Sequence, residues 1–207
     1  MPKKNITFAR LSNAHKRKAI FADIIATLKR PRTTRYKVEQ RVYVELAKAM
    51  GILTSDSLQK LLPKVEKKCT VCGIGACFIS HVRLANKFTI GQMDMDDVVV
   101  DDGKITGTPK MDDDRIFEVV KKYFTVHQLR RVEAAFEGQF WGLRFGTSGH
   151  NATDDESLAA EKWFDIIPNS TNRLRAIAEN GFRNNGNFNI LELPKKPTKK
   201  AAVRARA

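Results

Sequence analysis

The chain has 207 residues, 42% of them hydrophobic and 8% aromatic, which is enough to bury one compact core and too apolar for wholesale disorder. Its net charge of +14 points to anionic partners. No stretch approaches about 18 uninterrupted apolar residues, and Met1-Pro2-Lys3-Lys4 leads into no signal-type segment, so neither a membrane helix nor secretion is predicted.

The charge sits at the ends. Residues 1–37 hold eleven Lys/Arg against the single acid Asp23, residues 194–207 hold six against none, and residues 38–193 come to −2. The chain divides accordingly into a basic N-terminal segment (1–37), a near-neutral globular body (38–193) and a basic tail (194–207) that lacks core residues and reads as disordered when free. Three cysteines, an odd number, make no closed disulfide set and fit a reducing compartment, hence a cytoplasmic protein.

In chain order, His15-Lys16-Arg17-Lys18 precedes Ile20, Phe21, Ile24, Ile25 and Leu28 at helical spacing, with Ser12 or Asn13 as cap and Pro31 as terminator. This is a basic amphipathic helix. Residues 35–50 are read as a second helix along Val38, Val42 and Leu46, closed by Gly51, and 55–62 as a short third helix stopped by Pro63.

Residues 69–88 concentrate the chemistry. Cys69, Cys72, Cys77 and His81 have the spacing C-x2-C-x4-C-x3-H, a full tetrahedral zinc set if a helix begins near Gly73 and puts Cys77 and His81 one turn apart. The surrounding Ile, Val and Ala favour the other reading, in which the cysteines are compact apolar filler of a buried helix and no cofactor is bound.

The acidic run from Asp94 to Asp114 fails as a calcium loop, because Val98 and Val99 occupy ligand and Gly positions. It reads instead as a β-hairpin, 97–100 and 104–108 around Asp101-Asp102-Gly103, with Asp112–Asp114 opening the next helix. Residues 114–137 give two helices joined near Thr125, with His127 as a surface histidine. The Gly-rich stretch 138–153 carries Phe140, Trp141, Arg144 and His150 without a phosphate-loop lysine, and is read as a loop pinned to the core. A helix from Asp154 packs Leu158 and Trp163 inward. Another, capped by Ser170 or Thr171, ends at Asn180-Gly181, and 188–193 form a closing strand.

Cys72-Gly73-Ile74-Gly75-Ala76-Cys77, followed by Trp163-Phe164-Asp165 ahead of Leu174-Arg175-Ala176-Ile177-Ala178, resembles a motif pair of small phage and prophage proteins, over about residues 70–180. Phe164 stands where that family usually has Asn. The resemblance implies a viral or mobile-element origin and carries no activity with it.

The expectation is a mainly α (α+β) protein, one compact helical domain with a small hairpin and basic extensions. Its expected function is non-enzymatic binding of nucleic acid, or another anionic polymer, through Lys16, Arg17, Lys18, Arg30, Arg32, Lys195, Lys196, Lys199 and Lys200. The alternative is a viral regulatory factor or virion component whose basic arms engage an acidic protein.

Overall fold

In the computed structural model, residues 7–40, 44–45, 52–53, 57–85, 95–96, 99–101, 104–106, 110–111, 113–139 and 152–195 are described. The helices among them are α1 Asn13–Lys29, α2 Leu58–Val65, α3 Gly73–Ala85, α4 Asp113–Val120, α5 Val126–Glu137, α6 Asp154–Ile166 and α7 Ser170–Arg183. Short strands run at β1 Lys37–Val38, β2 Val44–Glu45, β3 Ile52–Leu53, β4 Thr70–Val71, β5 Met95–Asp96, β6 Val99–Asp101, β7 Lys104–Thr106 and β8 Lys110–Met111. The protein is mainly helical. No helix among the described residues is long and apolar enough to cross a membrane.

Helix α3 is the centre of the core. Every residue from Gly73 to Val82 is buried, and α1, α2, α4 and α5 pack around it. A helix apolar on all sides has no surface to offer water, so it is enclosed. Its start is made by a thiol: Cys72 Sγ accepts the Gly75 N–H at 3.5 Å while the Cys72 carbonyl accepts from Ala76 N–H at 2.9 Å. Sulfur here does what a Ser or Asp oxygen does at most helix N-termini.

The other helices follow their caps. Ser12 caps α1, and Thr125 with Gln128 and Thr153 with Glu156 form reciprocal capping boxes on α5 and α6. Helix α1 lays Ile20, Phe21, Ile24 and Leu28 on the core and packs along α7, where Gly181 makes room for Phe21. A Cβ at residue 181 would lie 2.4 Å from the Phe21 ring. Arg173, fully buried, donates to the carbonyls of Phe136, Ile167 and Pro168 at 2.7, 2.7 and 2.9 Å, and its guanidinium lies 4.3 Å from the Phe164 ring centre. One cation thereby serves the C-terminal ends of both α5 and α6, where the helix dipoles favour positive charge.

The hairpin is present as β6 and β7, paired Val99↔Thr106, Val100↔Ile105 and Asp101↔Lys104, with β3 antiparallel to β7 as a third strand. A second sheet, in the order β1-β4-β2-β8-β5, was not expected. It corrects the helix read over 35–50 at residues 35–40 and 44–45, the rest of that stretch lying outside the described residues: Val38 pairs in parallel with Val71, and Val44 pairs with Val71 from the antiparallel side. The stretch is dense in β-branched and aromatic residues, which fit a pleated surface better than a helix, and the i, i+4 pattern there was coincidental with alternation.

Four smaller readings also change. Helix α2 passes through Pro63 instead of stopping at it, held by buried Leu62 and by Glu66 in the following 3-10 turn. Asn169 caps α7, which continues through Gly181 to Arg183. Leu158 is 49% exposed, facing away from the core. Residues 188–193 are not a strand: Phe188 and Ile190 are buried, but the Asn180 side chain takes the Asn189 N–H and donates to the Asn189 and Glu192 carbonyls, replacing a ladder. Residues 140–151 of the Gly-rich loop, and the side chains from Asp94 to Asp114, lie outside what is described.

Candidate nucleic-acid interface

Lys16, Arg17 and Lys18 are consecutive in the first turns of α1, so they leave the helix about 100° apart and meet three different surroundings. Arg17 points into the seam. Its Nε donates to the Gly186 carbonyl at 2.8 Å, Nη1 to the Tyr123 carbonyl at 2.7 Å and Nη2 to Asn187 Oδ1 at 2.7 Å. Gln128 Nε2 reaches the same Asn187 oxygen at 2.8 Å. Gly186 has φ +86°, and a Cβ on it would meet the Ala14 carbonyl oxygen at 2.3 Å, so only glycine lets this turn lie against α1. Arg17, expected as a phosphate contact, is therefore a bolt between α1, the α4–α5 junction and the turn after α7.

The lysines on either side remain at the surface. Lys16 Nζ stands 5.1 Å from the Tyr123 ring centre, and Lys18 Nζ stands 5.0 Å from that of Phe182, a ring 40% exposed. Beside Lys16, residues 121–125 turn from α4 into α5 and open a cleft of about 390 Å³ lined by Asn13, Arg17, Lys121, Lys122, Thr125 and Val126, among others. Glu118 pairs with Lys121. The N-terminal ends of α1 and α5 both border this cleft, which adds their positive dipole ends to the lysines.

His81 reports the combined field. It is 3% exposed under Tyr123, with ring centres 5.2 Å apart and Phe8 at 6.0 Å. Burial pulls its pKa down to about 4, and Lys122 and Lys16 push in the same direction. Two lysines more than 100 positions apart in sequence thus act on one point, which no local reading of Lys121-Lys122 as a helix exterior reveals.

At the other end of α1 the pattern differs. Arg30 donates to Glu66 Oε1 at 2.6 Å and to Thr27 Oγ1 at 2.9 Å. Arg83 of α3 donates to the same Glu66 oxygen at 2.8 Å, to Thr27 Oγ1 at 2.8 Å and to Asp23. Glu66 is 3% exposed, so Arg30, expected as a phosphate contact, has a buried carboxylate against its charge while its own side chain remains 39% exposed. Arg32 and Lys195 are exposed, while Lys196, Lys199 and Lys200 lie outside the described residues.

The cysteine set does not assemble. Cys69 precedes β4, Cys72 caps α3, and Cys77 and His81 follow one turn apart on α3, but no three of these or other His, Cys, Asp or Glu side chains among the described residues come together as a metal would require. Burial holds the thiols of Cys69 and Cys77 up to about 12 and that of Cys72 higher still. Thiols so held stay protonated, whereas nucleophilic attack needs the thiolate.

One polar group escaped the sequence reading. His127 Nε2 lies 3.3 Å from Glu156 Oε1, and Arg131 donates to the same oxygen from Nε at 2.7 Å, across α5 and α6. Burial alone would raise the Glu156 carboxyl, but Arg131 and the Thr153 N–H hold it below the usual carboxylate range. Compared with protein-family models, with curated proteins and with solved structures, the chain matches none.

Proposed function

We propose that this protein binds nucleic acid through the phosphate backbone, as a binding protein and not a catalyst, with the cleft at the N-terminal end of α1 as its folded anchor and the basic terminal segments as outlying arms. The observation that carries the reading is the convergence of Lys16 with Lys122 beside Tyr123 and His81, next to two helix N-termini, with Lys18 over an exposed Phe182 on the adjoining face. Lysines set around aromatic rings suit a polymer of alternating anionic and flat groups. Protonated, buried thiols speak for binding over nucleophilic chemistry.

The contacts are ionic and mostly to backbone, so binding should be strongly salt-dependent and weakly sequence-selective. Fluorescence anisotropy with a labelled short strand, followed from low to moderate salt, tests this. Each phosphate contact contributes a slope of about −0.7 to −0.9 in log K against log salt. Affinity that does not change across that range would sink the proposal.

A further inference from the structure

The C-terminal end of α1 gathers five arginines, of which the fold compensates only two. Arg30 and Arg83 are matched there by Glu66 and Asp23. Three more guanidinium groups stand beside them. Arg175 of α7 reaches back and donates from Nη2 to the Leu28 carbonyl at 2.9 Å. Arg35, 9% exposed, donates from Nη1 to the Tyr36 carbonyl at 3.1 Å. Arg32 lies exposed in the 3-10 turn Arg32–Thr34 just after α1.

Neither Arg32, Arg35 nor Arg175 has a carboxylate partner among the described residues. The Nε donors of Arg35 and Arg175 are buried and without a hydrogen-bond partner. Arg175 reaches the last turn of α1 at Leu28, while Arg32 lies in the 3-10 turn that follows α1 and Arg35 closes that turn, so the three stand at one end of the helix. Burial pulls the Arg35 guanidinium down, and the charges of Arg175, Arg32 and Arg30 each act on it in the same direction. A helix-capping role accounts for the one bond Arg175 makes to Leu28. It does not account for a buried Arg35 held by a single neutral carbonyl and facing like charges, an arrangement that costs free energy unless an anion joins it.

We propose that Arg32, Arg35 and Arg175 form a seat for a doubly charged phosphate, a terminal phosphomonoester and not an internal diester. Three positive charges without a carboxylate match a dianion better than the single charge of a diester, and guanidinium forks offer paired donors to phosphate oxygens. Arg32 is its exposed member and Arg35 its buried one. The source of the phosphate, as the end of a nucleic-acid strand, rests on the function proposed above; the seat itself does not.

Thermal unfolding of the full chain in inorganic phosphate and in sodium chloride at matched ionic strength tests the seat. The melting temperature is expected to rise with phosphate in the wild type and in the charge control Lys162→Gln, and to stay level in Arg175→Gln. Arg175→Lys, which keeps the charge and loses the fork, is expected to recover part of the rise. Equal wild-type melting temperatures in the two salts overturn the seat, whether or not the variants fold. A second arm measures binding of a short labelled strand with and without a terminal phosphate. The phosphorylated strand is expected to bind about tenfold tighter, the worth of one charge-assisted hydrogen bond. Equal affinities overturn the strand-end assignment. A phosphate response with no strand binding at all upholds the seat and overturns the nucleic-acid reading.

Discussion

Helix α1 carries basic residues at both of its ends, about 25 Å apart for its 17 residues, and the fold treats Arg17 at one end and Arg30 at the other in opposite ways. At the N-terminal end Arg17 is bound only by neutral oxygens, those of Gly186, Tyr123 and Asn187, so its charge stays uncancelled beside Lys16 and Lys122. At the C-terminal end Arg30 and Arg83 meet Glu66 and Asp23, and their charge is absorbed internally. The lesson is that a count of Lys and Arg does not measure a binding surface. What matters is whether each cation has been matched by a carboxylate, by a carbonyl or by nothing.

The largest effect expected from breaking this contrast lies at the matched end. Glu66→Gln removes the one charge shared by two guanidinium groups and is expected to cost about 3–5 kcal/mol in urea denaturation. A loss below about 1 kcal/mol would mean that solvent already screens the network. Next comes acid at the unmatched end. His81 titrates near 6.5 when unfolded and near 4 when folded, so the unfolded chain takes the proton first. Stability is therefore full above pH 6.5 and falls as the pH drops toward 4, by up to about 3 kcal/mol. His81→Asn should flatten that part of the pH profile.

Arg17→Met takes its donor from the Gly186 and Tyr123 carbonyls, leaves Asn187 Oδ1 with Gln128 alone, and is expected to destabilise by about 2 kcal/mol, with the α1 contact to the 184–187 turn loosened in hydrogen exchange. The smallest stability effect belongs to Lys18→Gln, within about 0.5 kcal/mol by the same denaturation assay, because the side chain lies at the surface over Phe182. Its expected effect is on nucleic-acid affinity alone.

Local signals made much of this legible beforehand. The cap at Ser12, the apolar stripe of α1, the break at Thr125 and the pairing of the hairpin strands each depend on a few neighbouring residues; the first three are where the sequence put them, and the hairpin pairs with Asp101 in its first strand, its turn residues 102–103 lying outside the described residues. The second sheet was not, because its pairing of residues 37–38 with 70–71 is non-local and the helical spacing of Val38 and Val42 competes with it. The cysteine spacing was equally compatible with metal ligation and with a buried helix. Only tertiary placement separates Cys72 as a cap from Cys77 as core. The candidate interface was half visible: Lys16 and Lys18 stand out in a basic run, but their junction with Lys121-Lys122, and the capture of Arg17 and Arg30, are products of folding.

The claim that the unmatched cations do the binding is tested most directly by the salt slope of strand affinity in two variants measured side by side. Lys16→Gln/Lys122→Gln is expected to make the slope shallower by about 1.4–1.8, two phosphate contacts' worth, while Arg30→Gln leaves it as in the wild type. A slope unchanged in the lysine variant and reduced in Arg30→Gln would contradict the account, placing the binding charge on a cation that the fold has paired.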